Sequence, residues 1–128
     1  MPSETGSGQF GGATPILYVR DLAASLRYYT EVLGFKNADW GSEFFTMVSR
    51  DKAGIYLCQG SQGQPGTWVW LGVEDAGLVY EEYQNKGAHI RMSPRNFLWA
   101  YEFHIEDVDG HVLRIGSESL DQPYEKGF

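Results

Sequence analysis

The chain has one cysteine, Cys58, and so lacks both a partner for an internal disulfide and the thiolates of a multi-cysteine metal site; a reducing compartment suits it. It also lacks any apolar run near the ~20 residues that a membrane-crossing helix needs. Basic residues are scarce. Ten Lys and Arg face seventeen Asp and Glu, and the resulting net charge of −7 repels nucleic acid and anionic lipid over the whole surface. Neither nucleic acid nor a membrane is expected as a partner. Residues 1–13 hold Ser, Gly and Glu where a signal peptide would place a basic and then an apolar segment; they read as a flexible leader, and the protein as cytoplasmic.

What the chain does have is enough apolar content, 42% over 128 residues, to bury one core, and a sequence that says nearly the same thing twice. Pro15-Ile-Leu-Tyr-Val-Arg-Asp21-Leu is matched by Val69-Trp-Leu-Gly-Val-Glu-Asp75-Ala, and each copy runs on into an amphipathic stretch. The spacing predicts strands over residues 14–20 and 67–73, each ending at an Asp that caps a helix, over 23–33 and 76–86. Gly34 and Gly87 are helix stops. Aromatic and β-branched segments broken by turn residues predict further strands over 35–40, 43–49 and 54–59, then over 89–92, 98–106 and 111–117. Asp107-x-Asp109-Gly110 is a turn, without the downstream Glu of a calcium loop. The segment 60–66, with almost nothing that can pack, divides the halves.

The fold class is therefore α+β: two tandem βαβββ modules, over 14–60 and 66–117, in one domain, followed by a tail over 118–128. Each helix covers one sheet face, and the other faces curve into a shared trough. Alternation puts Leu17, Val19, Leu71, Val73, Leu113 and Ile115 under the helices, and turns Ile16, Tyr18, Trp68, Trp70, Val112 and Arg114 toward the trough. Tyr56, Cys58, Glu102 and His104 join them there.

Val19-x-Asp21-Leu-x-x-Ser25-Leu-x-Tyr28-Tyr29 through Leu33-Gly34-Phe35, with Glu102-Phe103 and Asp107-x-Asp109-Gly110-x-x-Leu113-Arg114, resembles the vicinal oxygen chelate superfamily of glyoxalase I, extradiol dioxygenases and bleomycin resistance proteins. Metal-using members place one ligand on each of four strands, usually His, Gln or Glu. The resemblance puts those positions at Thr14, Tyr56, Trp68 and Arg114. None suits a divalent ion: an indole offers no lone pair, and a guanidinium stays protonated and cationic. Leu113-Arg114-Ile115-Gly116 and Thr67-Trp-Val-Trp70 look like strands of the metal-free bleomycin resistance proteins.

That resemblance implies a metal-independent binding protein without cofactor, sequestering a cationic or aromatic small molecule such as a bleomycin-like compound, and a homodimer. The alternative is a metal-dependent glyoxalase-like lyase or isomerase, or a dioxygenase, using residues such as Glu102 and His104. The expected ligand-binding residues are Tyr18, Tyr56, Trp68, Trp70, Trp99, Glu102, His104 and Arg114, with Phe44 or Phe45 beside them; no residue is assigned to catalysis or metal. Rings of this kind either stack on flat ligands or fill the curved sheet as core. Arg114 is expected to pair with Glu102, His104 to be a half-exposed strand histidine, and His89 and His111 to lie on the surface.

Overall fold

A computed structural model describes residues 6–127. Residues 6–14 are exposed and without regular structure, and the rest of the expected leader lies outside the described residues. The two modules follow each other in the order the repeat predicts. The first holds β1 (Ile16–Tyr18), α1 (Leu22–Arg27), β2 (Lys36–Asn37), β3 (Phe45–Arg50) and β4 (Ala53–Cys58). The second holds β5 (Trp68–Gly72), α2 (Ala76–Asn85), β6 (His89–Asn96), β7 (Tyr101–Glu106) and β8 (Val112–Ser117).

Each module makes a four-stranded mixed sheet, ordered β1-β4-β3-β2 in the first and β5-β8-β7-β6 in the second. The strand before each helix pairs in parallel with the last strand of its module, and the remaining pairs are antiparallel. The register sets Ile16 beside Tyr56 and Trp70 beside Arg114.

Both helices begin as the sequence requires. Asp21 and Asp75 have extended backbones, and their side chains accept hydrogen bonds from Ala24 N and Leu78 N, which satisfies one orphan donor of each first turn. The first helix does not stay α-helical. It widens into a π-helical turn, Tyr28–Val32, closed by Leu33 N to Tyr28 O, and Gly34 at φ 78° then ends it.

The helix-side faces of both sheets meet in a single core, in which Leu17, Ile55 and Leu57 of the first module share a cluster with Phe103, Leu113 and Ile115 of the second. Two tyrosines at equivalent points of the helices lock the modules together. Tyr29 Oη donates to Asp107 Oδ2 at 2.8 Å, and Tyr83 Oη donates to the Leu33 carbonyl at 2.7 Å.

Four expectations are corrected. The sixth strand does not stop at Met92 but runs to Asn96 through Pro94; β6 is the sheet edge, where a residue without an N–H costs no ladder bond, and the register slips on either side of Met92. The seventh begins at Tyr101, because Phe97 N donates to Ala100 O and residues 97–100 form the turn between strands. His111 is fully buried rather than on the surface, since both ring nitrogens are used: Thr67 N donates to Nδ1 at 2.9 Å and Nε2 donates to the Tyr18 carbonyl at 2.6 Å. His104, too, is buried, with 3% of its surface exposed, against its expected half-exposure. His89 is exposed as expected.

The tail packs back onto the second sheet. Asn96 takes the Leu120 N–H on Oδ1 and offers Nδ2 to the carbonyls of Leu120, Asp121 and Pro123, while Ser119 Oγ donates to the Phe97 carbonyl.

Candidate functional site

The sheet faces turned away from the helices carry the residues the alternation assigned to them. On β5 the pattern is strict: Trp68 and Trp70 are about half exposed, whereas Val69 and Leu71 turn toward the helix side.

The second sheet and its 97–100 turn bring six of the expected residues together, five of them grouped about the carboxylate of the sixth, Glu102. Glu102 is fully buried and accepts from Arg114 Nε at 2.9 Å, Arg114 NH2 at 3.0 Å, His104 Nε2 at 2.7 Å and Trp99 Nε1. The bidentate pairing with Arg114 is the one expected across adjacent strands, and it runs diagonally, because the register sets Arg114 opposite His104 and Glu102 opposite Gly116. Burial alone would raise the Glu102 carboxyl, but the donors from Arg114, His104 and Trp99 outweigh it and hold the group below its usual range. An ionised carboxylate only accepts, so His104 carries its proton on Nε2. Burial, opposed by the neighbouring Glu102, leaves His104 below its usual pKa.

Aromatic rings stand over this polar floor. The Arg114 guanidinium lies 5.6 Å from the Trp70 ring centre, so one cation touches both the buried carboxylate and the exposed indole. Gly116 makes the arrangement possible, because a Cβ there would collide with the far edge of the Trp70 ring. Trp68 meets the His104 ring edge to face at 5.8 Å and has the Arg91 guanidinium 5.2 Å from its centre. Trp99 stacks on Phe97 at 4.7 Å and 5°.

Tyr18 and Tyr56 belong to the first sheet. Tyr56 stacks on Phe45 at 5.2 Å, with Trp40 6.4 Å away, so Phe45 rather than Phe44 is its neighbour. Tyr18 contributes its carbonyl to His111. Cys58 is buried beside this group at the end of β4.

Sequence reasoning missed Arg91, Trp40, Phe97 and Gly116. Arg91 sits on an exposed position of an edge strand, where a charged side chain reads as solvated, and the close approach at Gly116 is a tertiary fact that spacing cannot show.

Thr14, Tyr56, Trp68 and Arg114, the positions to which the resemblance assigns metal ligands, form a donor set that does not fit a divalent ion, since an indole offers no lone pair and a guanidinium stays cationic. Among the described residues no three His, Cys, Asp or Glu side chains cluster as a metal site would require.

Solved structures share this architecture. TnmS3, an antibiotic binding protein from Streptomyces sp. CB03234, superposes with a TM-score of 0.76 at 19% identity, over 88% of this chain and 98% of that one. A bleomycin-binding protein from bleomycin-producing Streptomyces verticillus, solved with copper(II)-bleomycin, gives 0.67 at 21% identity over 88% and 98%. A virulence protein from Salmonella typhimurium gives 0.72 at 21% identity over 86% and 98%. At these identities the likeness is one of fold. No curated protein matches the sequence. The family model that does match spans residues 10–115, and by it the chain belongs to the glyoxalase/bleomycin resistance protein/dioxygenase superfamily.

Proposed function

We propose that the protein binds and sequesters a flat aromatic small molecule, in the manner of bleomycin resistance proteins, without a metal ion. The observation that carries this reading is the row of half-exposed indoles, Trp68, Trp70 and Trp99, standing over a floor whose charges are already paired. A soluble globule rarely bares large rings side by side unless something covers them. Arg91 and Arg114 already lie against Trp68 and Trp70, so a cationic ligand would meet guanidinium groups there, and the face favours an aromatic ring over a bare cation.

A homodimer belongs to the same reading. Trp40 and Phe44, in the loop between β2 and β3 at the first sheet, are also more than half exposed, and a second copy would cover both open faces and enclose the ligand between them. Cytoplasmic placement follows the lone cysteine.

Calorimetry with bleomycin tests the ligand. A saturable heat at micromolar concentration, lost in Trp70→Ala, supports the reading; no heat with bleomycin sinks that compound, and no heat with a panel of planar antibiotics sinks the binding class. Sedimentation at tens of micromolar giving a monomer mass refutes the dimer. Stoichiometric zinc, nickel, manganese or iron surviving dialysis would replace this reading with the metal-dependent enzyme.

A further inference from the structure

The repeat creates two equivalent junctions between the modules, each where the β-turn of one module meets the start of the other's helix. They have different fates. At the junction beside α1, the five-residue loop 107–111 between β7 and β8 reaches across: Asp109 accepts from Arg20 N and Nε, both at 3.0 Å, and from Ser25 Oγ at 2.9 Å, and Arg20 NH2 donates to the Val108 carbonyl. At the junction beside α2 the connection is the two-residue turn Asp51-Lys52 between β3 and β4, with Asp51 at φ 52°. The turn is too short to cross, and the Arg50 side chain before it spans the gap instead, donating to Glu82 at 2.8 Å.

The same offset that carries Val19 onto Val73 carries Ser25 onto Val79 and Arg20 onto Glu74, so the side chains that close the first junction are also missing from the second. What remains is a cleft of about 650 Å³. Leu71, Val73, Val79 and Ile115 give it apolar walls. It backs onto β5 and β8 from the helix side, across the sheet from Trp70 and Arg114.

Its mouth is acidic. Arg50 and Glu82 compensate each other at 2.8 Å, and Asp75 is engaged in capping α2. The side chains of Asp51, Lys52 and Glu74, also at the cleft, enter no hydrogen bond or ion pair among the described residues, which leaves two carboxylates facing one ammonium in a chain of net charge −7.

We propose that this cleft is a second binding site, independent of the indole face, for a small amphipathic cation: an aryl or alkyl amine whose apolar part enters between Val79 and Leu71 and whose ammonium meets Glu74 and Asp51. The volume lies within the range of small-ligand pockets, and the few polar groups at an apolar cleft fix the charge of the head group.

The test is an amide-shift titration of the isotope-labelled full chain with phenethylamine and, separately, with phenylpropionate, which is similar in size and opposite in charge. Saturable shifts at Lys52, Leu71, Glu74 and Val79, with a roughly millimolar Kd for the amine and about tenfold weaker binding of the acid, are expected. Val79→Trp, which fills the cleft, removes them. Glu74→Lys alters an exposed side chain, keeps the fold, and reverses the preference toward the acid. No saturable shift, equal binding of the two compounds, an unchanged preference in Glu74→Lys, or shifts confined to the Trp68 and Trp70 indoles would each overturn the proposal. Bleomycin binding in Glu74→Lys should equal that of the parent, so this site and the indole face stand or fall separately.

Discussion

His111 Nε2 lies 2.6 Å from the carbonyl oxygen of Tyr18, so a ring from the loop before β8 ends the first strand of the other module. With Thr67 N donating to Nδ1, the imidazole ties β1 to the start of β5. His111→Ala takes the side-chain partner from a half-buried carbonyl and a half-buried N–H and empties a fully buried ring site, and a loss of about 2–4 kcal/mol is expected in urea unfolding followed by circular dichroism. His111→Gln, which can both donate and accept, should recover part of that loss. Equal stability of His111→Ala and the parent would show that the two bonds do not hold the modules.

Arg114 and Glu102 form a second such dependence. Arg114→Leu removes the guanidinium that pairs in bidentate fashion with a fully buried carboxylate, and a loss of about 3–5 kcal/mol at neutral pH is expected. The double variant Arg114→Leu, Glu102→Leu should regain most of it, because no unpaired charge then remains. A double variant as unstable as the single one would refute the argument.

The stability of the fold should fall on acidification in two stages. His104 has a folded pKa below its ordinary value of about 6.5, so the unfolded chain takes up that proton first, and stability is complete above the ordinary value and lost as pH falls through the folded one. Glu102 is also depressed, so its share is complete above the ordinary carboxylate value and disappears below it as pH falls further. Urea midpoints measured across this window should show the first decline abolished in His104→Gln. Asp107, whose carboxyl burial raises, works in the opposite sense within the carboxylate range, so the deciding window is that of His104: an upward slope there on acidification would contradict the assignment.

Gly116 is the floor under Trp70. Gly116→Val puts a side chain into the ring's place, so the Trp70 indole must swing off the sheet and away from Arg114. A changed emission maximum and easier acrylamide quenching, both absent in the double variant with Trp70→Phe, are expected, together with at least about a tenfold loss of affinity for any ligand that stacks there. Unchanged emission would mean that the ring is held by other contacts.

Asn96 anchors the tail through hydrogen bonds to four backbone groups, so Asn96→Ala should release residues 118–127. Limited proteolysis after Lys126 or Glu118 should accelerate several-fold in the variant, with a stability loss of about 1–2 kcal/mol. A cleavage rate equal to the parent's would show that the side-chain anchor is dispensable.

The repeat itself carried the fold. Two copies of an apolar strand, an Asp cap and an amphipathic run suffice to determine two βαβββ units, because caps and periodicities are local properties that neighbours reinforce. The alternation on β5 likewise decided that Trp68 and Trp70 share a face, and the Glu102–Arg114 pair followed from strand order. What only the tertiary structure decided depends on distance between segments remote in sequence: that both nitrogens of His111 find backbone partners inside, that β6 passes through Pro94 because it is an edge, that Asn96 gathers the tail, and that a five-residue loop closes one junction while a two-residue turn leaves its twin open. A strand's pattern states which way a side chain points; what it meets there is set by the packing of the second module on the first.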